Sequence, residues 1–437
     1  MSRIPLVTRH LIASGIPFWS ASLLTGMVAV GFSMLFLRAE AAARWIATTH
    51  PFLFLLVAPL AFLLSWLLVH RVAPAAAGSG IPQVYAAVEL VRGDHAPGLL
   101  DRLLGWRTTV VKVLSSVVCV VGGGAIGREG PTIQIGAGIF HEFHARRGAG
   151  SLFGEKDIWL VTGAAAGIAA AFNTPLGGLV FAIEELALGT FSRVRTGLIT
   201  AIIIAGLSAQ AITGNYLYVG YPQLLELGLD LLPWSLLVGA AAGLAGALFG
   251  WILWRITSWR RSVRHPAAQA ILAAGCGLGV ALLAIGTDPS VMGPGRDLLI
   301  SMLYQEEGPG GFSRVVARLT SPVVTYAAGG AGGIFAPSLA AGGSIGSFLA
   351  GCFHYPFHRP FVLLGMASFL TGVTRAPFTS FVLVLEMTDH HPLTLPLMLA
   401  SLTAFAAARL VTRDSFYDLA SRWFRGGPGT AAAPAPP

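Results

Sequence analysis

Gly124-Ala-Ile-Gly-Arg-Glu-Gly-Pro-Thr-Ile-Gln-Ile-Gly136 sets Arg128 and Glu129 side by side, directly after the apolar run 113–126. A charged side chain at bilayer depth costs about 2.5–3.5 kcal/mol on insertion scales, so its presence there points to function. Gly127, Gly130 and Gly136 leave the backbone uncovered, and Pro131 suits the first turn of a helix. The stretch predicts an irregular segment that runs into a helix N-terminus. Free N–H groups and the positive end of the dipole leave such a terminus together, which makes an anion site. A glutamate beside that site competes with the anion for it.

The chain around this stretch decides whether bilayer depth is the right frame. It has 437 residues, 54% hydrophobic and only 11% charged, with a mean hydropathy of +0.71. Soluble domains carry roughly 25% charged residues, so this is an integral membrane protein. Fifty-four glycines and 26 prolines are too many for a bundle of continuous spans. They predict broken or re-entrant helices, which survive only where protein or a watery cavity covers the backbone. The uncharged run 11–37 is too long for a signal-peptide core and reads as a retained span.

The net charge of +8 follows the same logic. Basic residues cluster at Arg3 and Arg9, Arg146 and Arg147, 255–264, and 409–425, whereas Glu226, Asp230, Glu306 and Glu307 lie in other loops. Cytoplasmic loops are rich in Lys and Arg, which places both termini and the 255–264 loop in the cytoplasm. No basic face interleaved with aromatics suggests nucleic acid. Cys119, Cys276 and Cys352 sit in apolar surroundings and read as buried free thiols. His10, His50, His141, His144 and His354 lack metal-ligand spacing and read as interfacial. No metal, cofactor or nucleophile set stands out.

Along the chain, 51–69 reads as a second span and 94–107 as a polar loop. Apolar spans follow at 197–225, 231–254, 267–285, 322–350 and 393–408, with a short terminal helix at 415–424. The segments 158–186 and 360–387 are each broken once, at Asn173-Thr-Pro175 and at Arg375-Ala-Pro377. A single membrane domain covers 1–425, and the Gly/Ala/Pro tail 426–437 reads as disordered.

The chain also repeats itself. Gly127-Arg-Glu-Gly-Pro131 pairs with Gly333-Ile-Phe-Ala-Pro337 at an offset of 206 residues. Asn173-Thr-Pro175 pairs with Arg375-Ala-Pro377 at an offset of 202, and Glu184 and Glu386 follow nine positions after the respective prolines. Duplicated halves with helices broken in corresponding places mark a transporter-type fold whose site lies between the halves. The halves run at about 50–225 and 230–411. The architecture is all-α and polytopic, with two inverted repeats of tilted and broken helices.

Three glycine-rich helix starts, at Gly78, Gly127 and Gly333, supply converging N-termini. Any one alone reads as a tightly packed kink; three, two of them related by the repeat, read as a site. Glu129 cannot pair with Arg128 on the same helix, because adjacent residues do not face each other. Lys112 either snorkels or sits buried as the partner of an acid. Glu184 beside Glu185 raises the cost of ionising both.

Gly78-Ser-Gly-Ile-Pro82, Gly127-Arg-Glu-Gly-Pro131 and Gly333-Ile-Phe-Ala-Pro337 resemble the three signature sequences of the CLC family of chloride channels and proton/chloride exchangers, in the family's order. The similarity runs on through Leu383-Val-Leu-Glu-Met-Thr388 to Phe416 and Tyr417, and so covers nearly the whole chain. The resemblance implies a homodimer in membrane lipid with one pathway per subunit, carrying chloride and protons. It implies a chloride site at Ser79, Gly80, Ile81, Arg128, Glu129, Gly130, Ile334, Phe335 and Tyr417. Ser79 and Tyr417 would offer hydroxyls there, and Ile334 and Phe335 backbone N–H groups. Glu129 matches the external gating glutamate, Glu185 the internal proton-transfer glutamate, and Lys112 a buried lysine of the family. Gln83 stands where many relatives have Glu, and Tyr85 where some bacterial exchangers have a second acid. The regulatory tail domains of eukaryotic relatives are absent, which suggests a prokaryotic inner-membrane protein.

The expected activity is proton-coupled chloride antiport. A passive chloride channel, gated by voltage or pH, is the alternative within the same fold, and Glu185 argues against it. A membrane-embedded enzyme using Glu129 and Glu185 as acid and base would need a nucleophile or metal set that the sequence does not display.

Overall fold

The computed structural model describes residues 6–93, 97–147, 155–186, 191–214, 217–223, 230–305, 311–355 and 357–425. The tail 426–437 and the loop acids Glu226, Glu306 and Glu307 lie outside the described residues. Nearly all of the described chain is helical. The first half contains α1 (Leu6–Thr49), α2 (Pro51–Val72), α3 (Ile81–Arg92), α4 (Pro97–Leu104), α5 (Trp106–Val121), α6 (Glu129–Arg147), α7 (Lys156–Phe172), α8 (Pro175–Phe181) and α9 (Phe191–Thr213). The second contains α10 (Leu231–Ser262), α11 (Pro266–Gly286), α12 (Arg296–Tyr304), α13 (Phe312–Ala328), α14 (Phe335–Cys352), α15 (His358–Thr374), α16 (Pro377–Thr388), α17 (Thr394–Ala408) and α18 (Phe416–Ser421). Among the described residues, seven helical stretches are long and apolar enough to cross a membrane, including those in α1, α2, α10, α11 and α14.

The core sits in the inner helices. Every residue of α7 from Asp157 to Phe172 is buried, as is every residue of α15 from Pro360 to Thr374. Each of these helices crosses a neighbour at a pair of glycines. A Cβ on Gly136 of α6 would strike the Gly163 carbonyl of α7, and a Cβ on Gly342 of α14 would strike that of Gly365 on α15. Small residues at such crossings let backbones approach closely where lipid offers no hydrophobic drive. Gly342 lies 206 residues after Gly136, and Gly365 lies 202 after Gly163. These are the offsets of the two sequence motifs, so the internal repeat extends to the helix crossings.

Both broken helices break alike. Asn173 (φ 58°) and Arg375 (φ 67°) close α7 and α15 in the left-handed conformation, and a proline opens α8 and α16. Proline is well placed in a first turn because its missing N–H would have no helical partner.

Several expectations need correction. The supposed polar loop 94–107 contains α4, whose eight residues are too short for a periodic signal. Helix α10 does not stop at residue 254 but continues through the basic cluster to Ser262. The Arg255 guanidinium lies 5.7 Å from the ring centre of Trp251, one turn back, so charge does not end this helix. Helix α9 stops at Thr213, where Gly214 takes φ 75°, although the apolar sequence continues to residue 225. Cys352 is exposed, whereas Cys119 and Cys276 are buried. His141 is buried, and its Nε2 pairs with Asp101 Oδ1 of α4 at 2.8 Å.

Candidate functional site

The three glycine-rich loops meet. Gly78 donates its N–H to the Gly330 carbonyl and accepts from the Gly332 N–H, both at 2.9 Å. Gly127 donates to Gly333 at 2.7 Å, and Gly333 donates back at 2.8 Å. Glycine is required at the closest approaches. A Cβ on Gly80 would lie 2.5 Å from the Gly130 carbonyl, and one on Gly130 would strike Ser79 Oγ. The N-terminal turns of α3, α6 and α14 are thereby gathered in one place. Neither Gly80, before α3, nor Ile334, before α14, supplies a side chain to cap its helix. The first N–H groups of a helix have no intrahelical partner, so the gathered turns form a cradle of donors.

Polar side chains lie buried around this cradle. Ser79 is 2% exposed and Tyr417 fully buried, and among the described residues neither hydroxyl makes a hydrogen bond of normal length and angle. The two hydroxyls approach each other. Glu129 is fully buried, and among the described residues its carboxylate makes no hydrogen bond of normal geometry, although the Ala336 N–H of α14 lies close to it. The carboxylate folds over Gly127, beside Ala336 and Pro337 in the first turn of α14. It therefore lies where a helix N-terminus favours an anion. Arg128 is 5% exposed with Nη1 unpartnered, and it makes no ion pair with Glu129. An unsatisfied buried polar group costs about 1–3 kcal/mol, so this concentration of them is a functional signal.

The supporting residues differ in part from expectation. Lys112 is fully buried, but its Nζ donates to the Gly78 carbonyl at 2.9 Å and reaches no acid. It fixes the first loop from behind. Gln83 uses both ends of its amide: Oε1 accepts from Gly80 N at 3.1 Å, and Nε2 donates to Ala75 at 2.9 Å and Ala77 at 2.6 Å. A carboxylate could not make the two donations, which gives a structural reason for glutamine here. Ser115, which the sequence did not single out, accepts from the Ala331 N–H at 3.0 Å and ties the loop after α13 to α5.

Glu185 stands apart from the cradle, in a π-helical turn (Ala182–Leu186) that extends α8. The charge nearest to it in effect is Asp418 of α18, not Glu184 as its position in sequence suggests. Glu184 turns the other way. Its carboxylate accepts three hydrogen bonds at the N-terminus of α16, from Phe378 N (3.0 Å), Thr379 N (2.7 Å) and Thr379 Oγ1 (2.7 Å). Tyr417 lies within electrostatic reach of both Glu129 and Glu185, and Tyr85 packs against its ring at a centroid distance of 6.3 Å.

A family model described as voltage gated chloride channel matches residues 61–409. The chain belongs to that family. Among curated members, it is 32% identical over 385 residues to the H(+)/Cl(-) exchange transporter ClcA of Vibrio cholerae serotype O1, covering 84% of this chain and 78% of that one. The transporter of the same name from Salmonella paratyphi A is 29% identical over 430 residues, covering 90% and 85%. Among solved structures, a slow cyanobacterial Cl-/H+ antiporter superposes with a TM-score of 0.81 at 24% identity, covering 94% of this chain and 98% of that one. A CLC-type fluoride/proton antiporter gives 0.76 at 22% identity, with the same coverage. These likenesses fix the CLC fold: an all-helical membrane protein built from broken helices.

Of the expected chloride-site residues, Ser79, Gly80, Ile81, Glu129, Gly130, Ile334, Phe335 and Tyr417 converge on the cradle. Arg128 enters through its backbone position at the start of α6.

Proposed function

We propose that this CLC-family protein is a proton-coupled chloride antiporter. The observation that carries the reading is Glu129: a buried carboxylate resting against the first turn of α14, by the Ala336 N–H, where an anion would rest. Ionised, it fills an anion position; protonated, it loses its attraction for the N-terminus and yields the place to chloride. Chloride would be held by the backbone N–H groups of Ile334 and Phe335 and by the hydroxyls of Ser79 and Tyr417. Full lysine or arginine counter-charge at the ion would hold it too tightly, since conduction requires binding weak enough to release. The proton taken up by Glu129 would pass towards Glu185, with Tyr417 between them, and leave on the cytoplasmic side.

Several further features belong to the same reading. The repeats run at about 50–225 and 230–411, both termini face the cytoplasm, and the membrane is the inner membrane of a prokaryote. A homodimer within the lipid is part of the same reading. Coupling rather than enzymatic turnover is the work assigned to Glu129 and Glu185. Purified protein in liposomes tests the assignment, with chloride efflux and external pH recorded together. Chloride-driven proton movement is expected. Chloride flux with no proton movement would replace the antiporter by a passive channel.

A further inference from the structure

The two carboxylates that follow the helix breaks cross over between the repeats. Glu184, after the break in the first half, caps α16 in the second, accepting from Phe378 N, Thr379 N and Thr379 Oγ1. Glu386, after the break in the second half, reaches back to α8, where it accepts from Leu176 N at 3.1 Å and Gly177 N at 2.8 Å. A carboxylate on the first N–H groups of a helix is satisfied both by hydrogen bonds and by the dipole. Charge-assisted bonds of this kind are roughly twice as strong as neutral ones. Helices α8 and α16 are therefore locked antiparallel by a carboxylate at each end. Leu383 of α16 packs directly over Gly177 of α8, where a side chain would collide with it.

The lock has a consequence for one residue. Glu184 and Glu185 are consecutive in the single π-helical turn Ala182–Leu186. π-Turns within helices occur frequently at functional sites. Pinning the Glu184 carboxylate to α16 fixes the rotation of that turn and with it the direction of the next side chain, Glu185, which cannot face the same way as Glu184. Glu386 fixes the other end of the same segment. We infer that Glu184 and Glu386 are positioning residues for proton transfer. They touch neither ion, but hold the turn that presents Glu185.

This inference rests on the antiport reading, and its test separates the two. Wild-type protein, Glu184→Gln, Glu386→Gln and Thr379→Val are compared in liposomes by the number of protons moved per chloride. The glutamine variants keep side-chain volume but lose the charge and one acceptor. With a charge-assisted hydrogen bond weakened, their proton-to-chloride ratio should fall by about threefold or more. Chloride turnover should fall less than proton movement. Thr379→Val removes one of three donors and leaves both backbone bonds, so it should lower the ratio by less, about twofold. If the caps only support packing, proton and chloride fluxes fall in equal proportion or neither changes, and the inference is overturned. If the glutamine variants do not fold, Thr379→Val decides it alone by the same ratio. An uncoupled wild type would instead overturn the antiport reading, and this inference with it.

Discussion

The halves of this protein are built alike and equipped differently. Gly127-Arg-Glu-Gly-Pro131 and Gly333-Ile-Phe-Ala-Pro337 both lead into helices, and they hydrogen-bond to each other across the centre. Yet where the first carries Arg128 and Glu129, the second carries Ile334 and Phe335. The broken helices repeat the contrast. Glu184 and Glu386 do the same capping work, but the next residue is Glu185 in one half and the buried Met387 in the other. Helix α16 runs regularly to Thr388, whereas α8 gives way to a π-turn at Ala182. Backbone donors come from both repeats, while the candidate proton carriers Glu129 and Glu185 come from the first alone. The repeated scaffold gives the donor cradle from both halves, and under the proposed function the proton carriers belong to the first half alone.

The sharpest way to break this contrast is to remove the charge from the first half. Glu129→Gln, which imitates the protonated carboxyl, should reduce chloride-driven proton uptake by about a hundredfold or more, the scale of a lost general acid–base group. Some chloride efflux should remain. Proton uptake at the wild-type rate would show that Glu129 carries no proton. Glu185→Val makes the first half resemble the second at its other acid. It should abolish proton coupling while chloride efflux stays within about threefold of wild type, because no ligand of the cradle changes. A proportional loss of both fluxes would move Glu185 from proton transfer to structure. Ser79→Ala tests the shared cradle. Removing one neutral hydroxyl worth about 0.5–1.5 kcal/mol should weaken chloride binding by about 2- to 13-fold, measurable by titration calorimetry. Gly177→Ala should have the smallest effect. It gives α8 a side chain where α16 has Thr379, and the Leu383 side chain can move aside, so a stability loss of about 1 kcal/mol is expected in thermal unfolding. A much larger loss would mean that α8 and α16 tolerate no separation.

Much of this was legible in the sequence because the features are made by glycine, proline and out-of-place charge. The breaks at Asn173 and Arg375, the three loops and the isolation of Glu129 all leave such marks. Other features leave none. Helix α4 is too short to leave a periodic signal, and the last turns of α10 are polar, which hydropathy alone reads as loop. The end of α9 is set by one glycine inside an apolar run. Glu184 looked like the electrostatic neighbour of Glu185 because the two are adjacent in sequence, but a carboxylate's direction depends on which donors lie in reach. The nearest donors belong to a helix 194 residues further on. The repeat showed that Glu184 and Glu386 correspond; it could not show that each serves the other's half.

The exchange of hydrogen bonds between Gly127 and Gly333 also sets an order for biogenesis. As the chain leaves the ribosome, the loop around Glu129 is made while its partner, the loop at Gly333, is still more than 200 residues from synthesis. Until residue 333 arrives, the Gly127 N–H and carbonyl have no protein partner, and hydrocarbon offers none. The first half must wait either with water held around that loop or with the loop outside the membrane core. Its final placement is then a late step, and the last helices synthesised complete the site that the first half began.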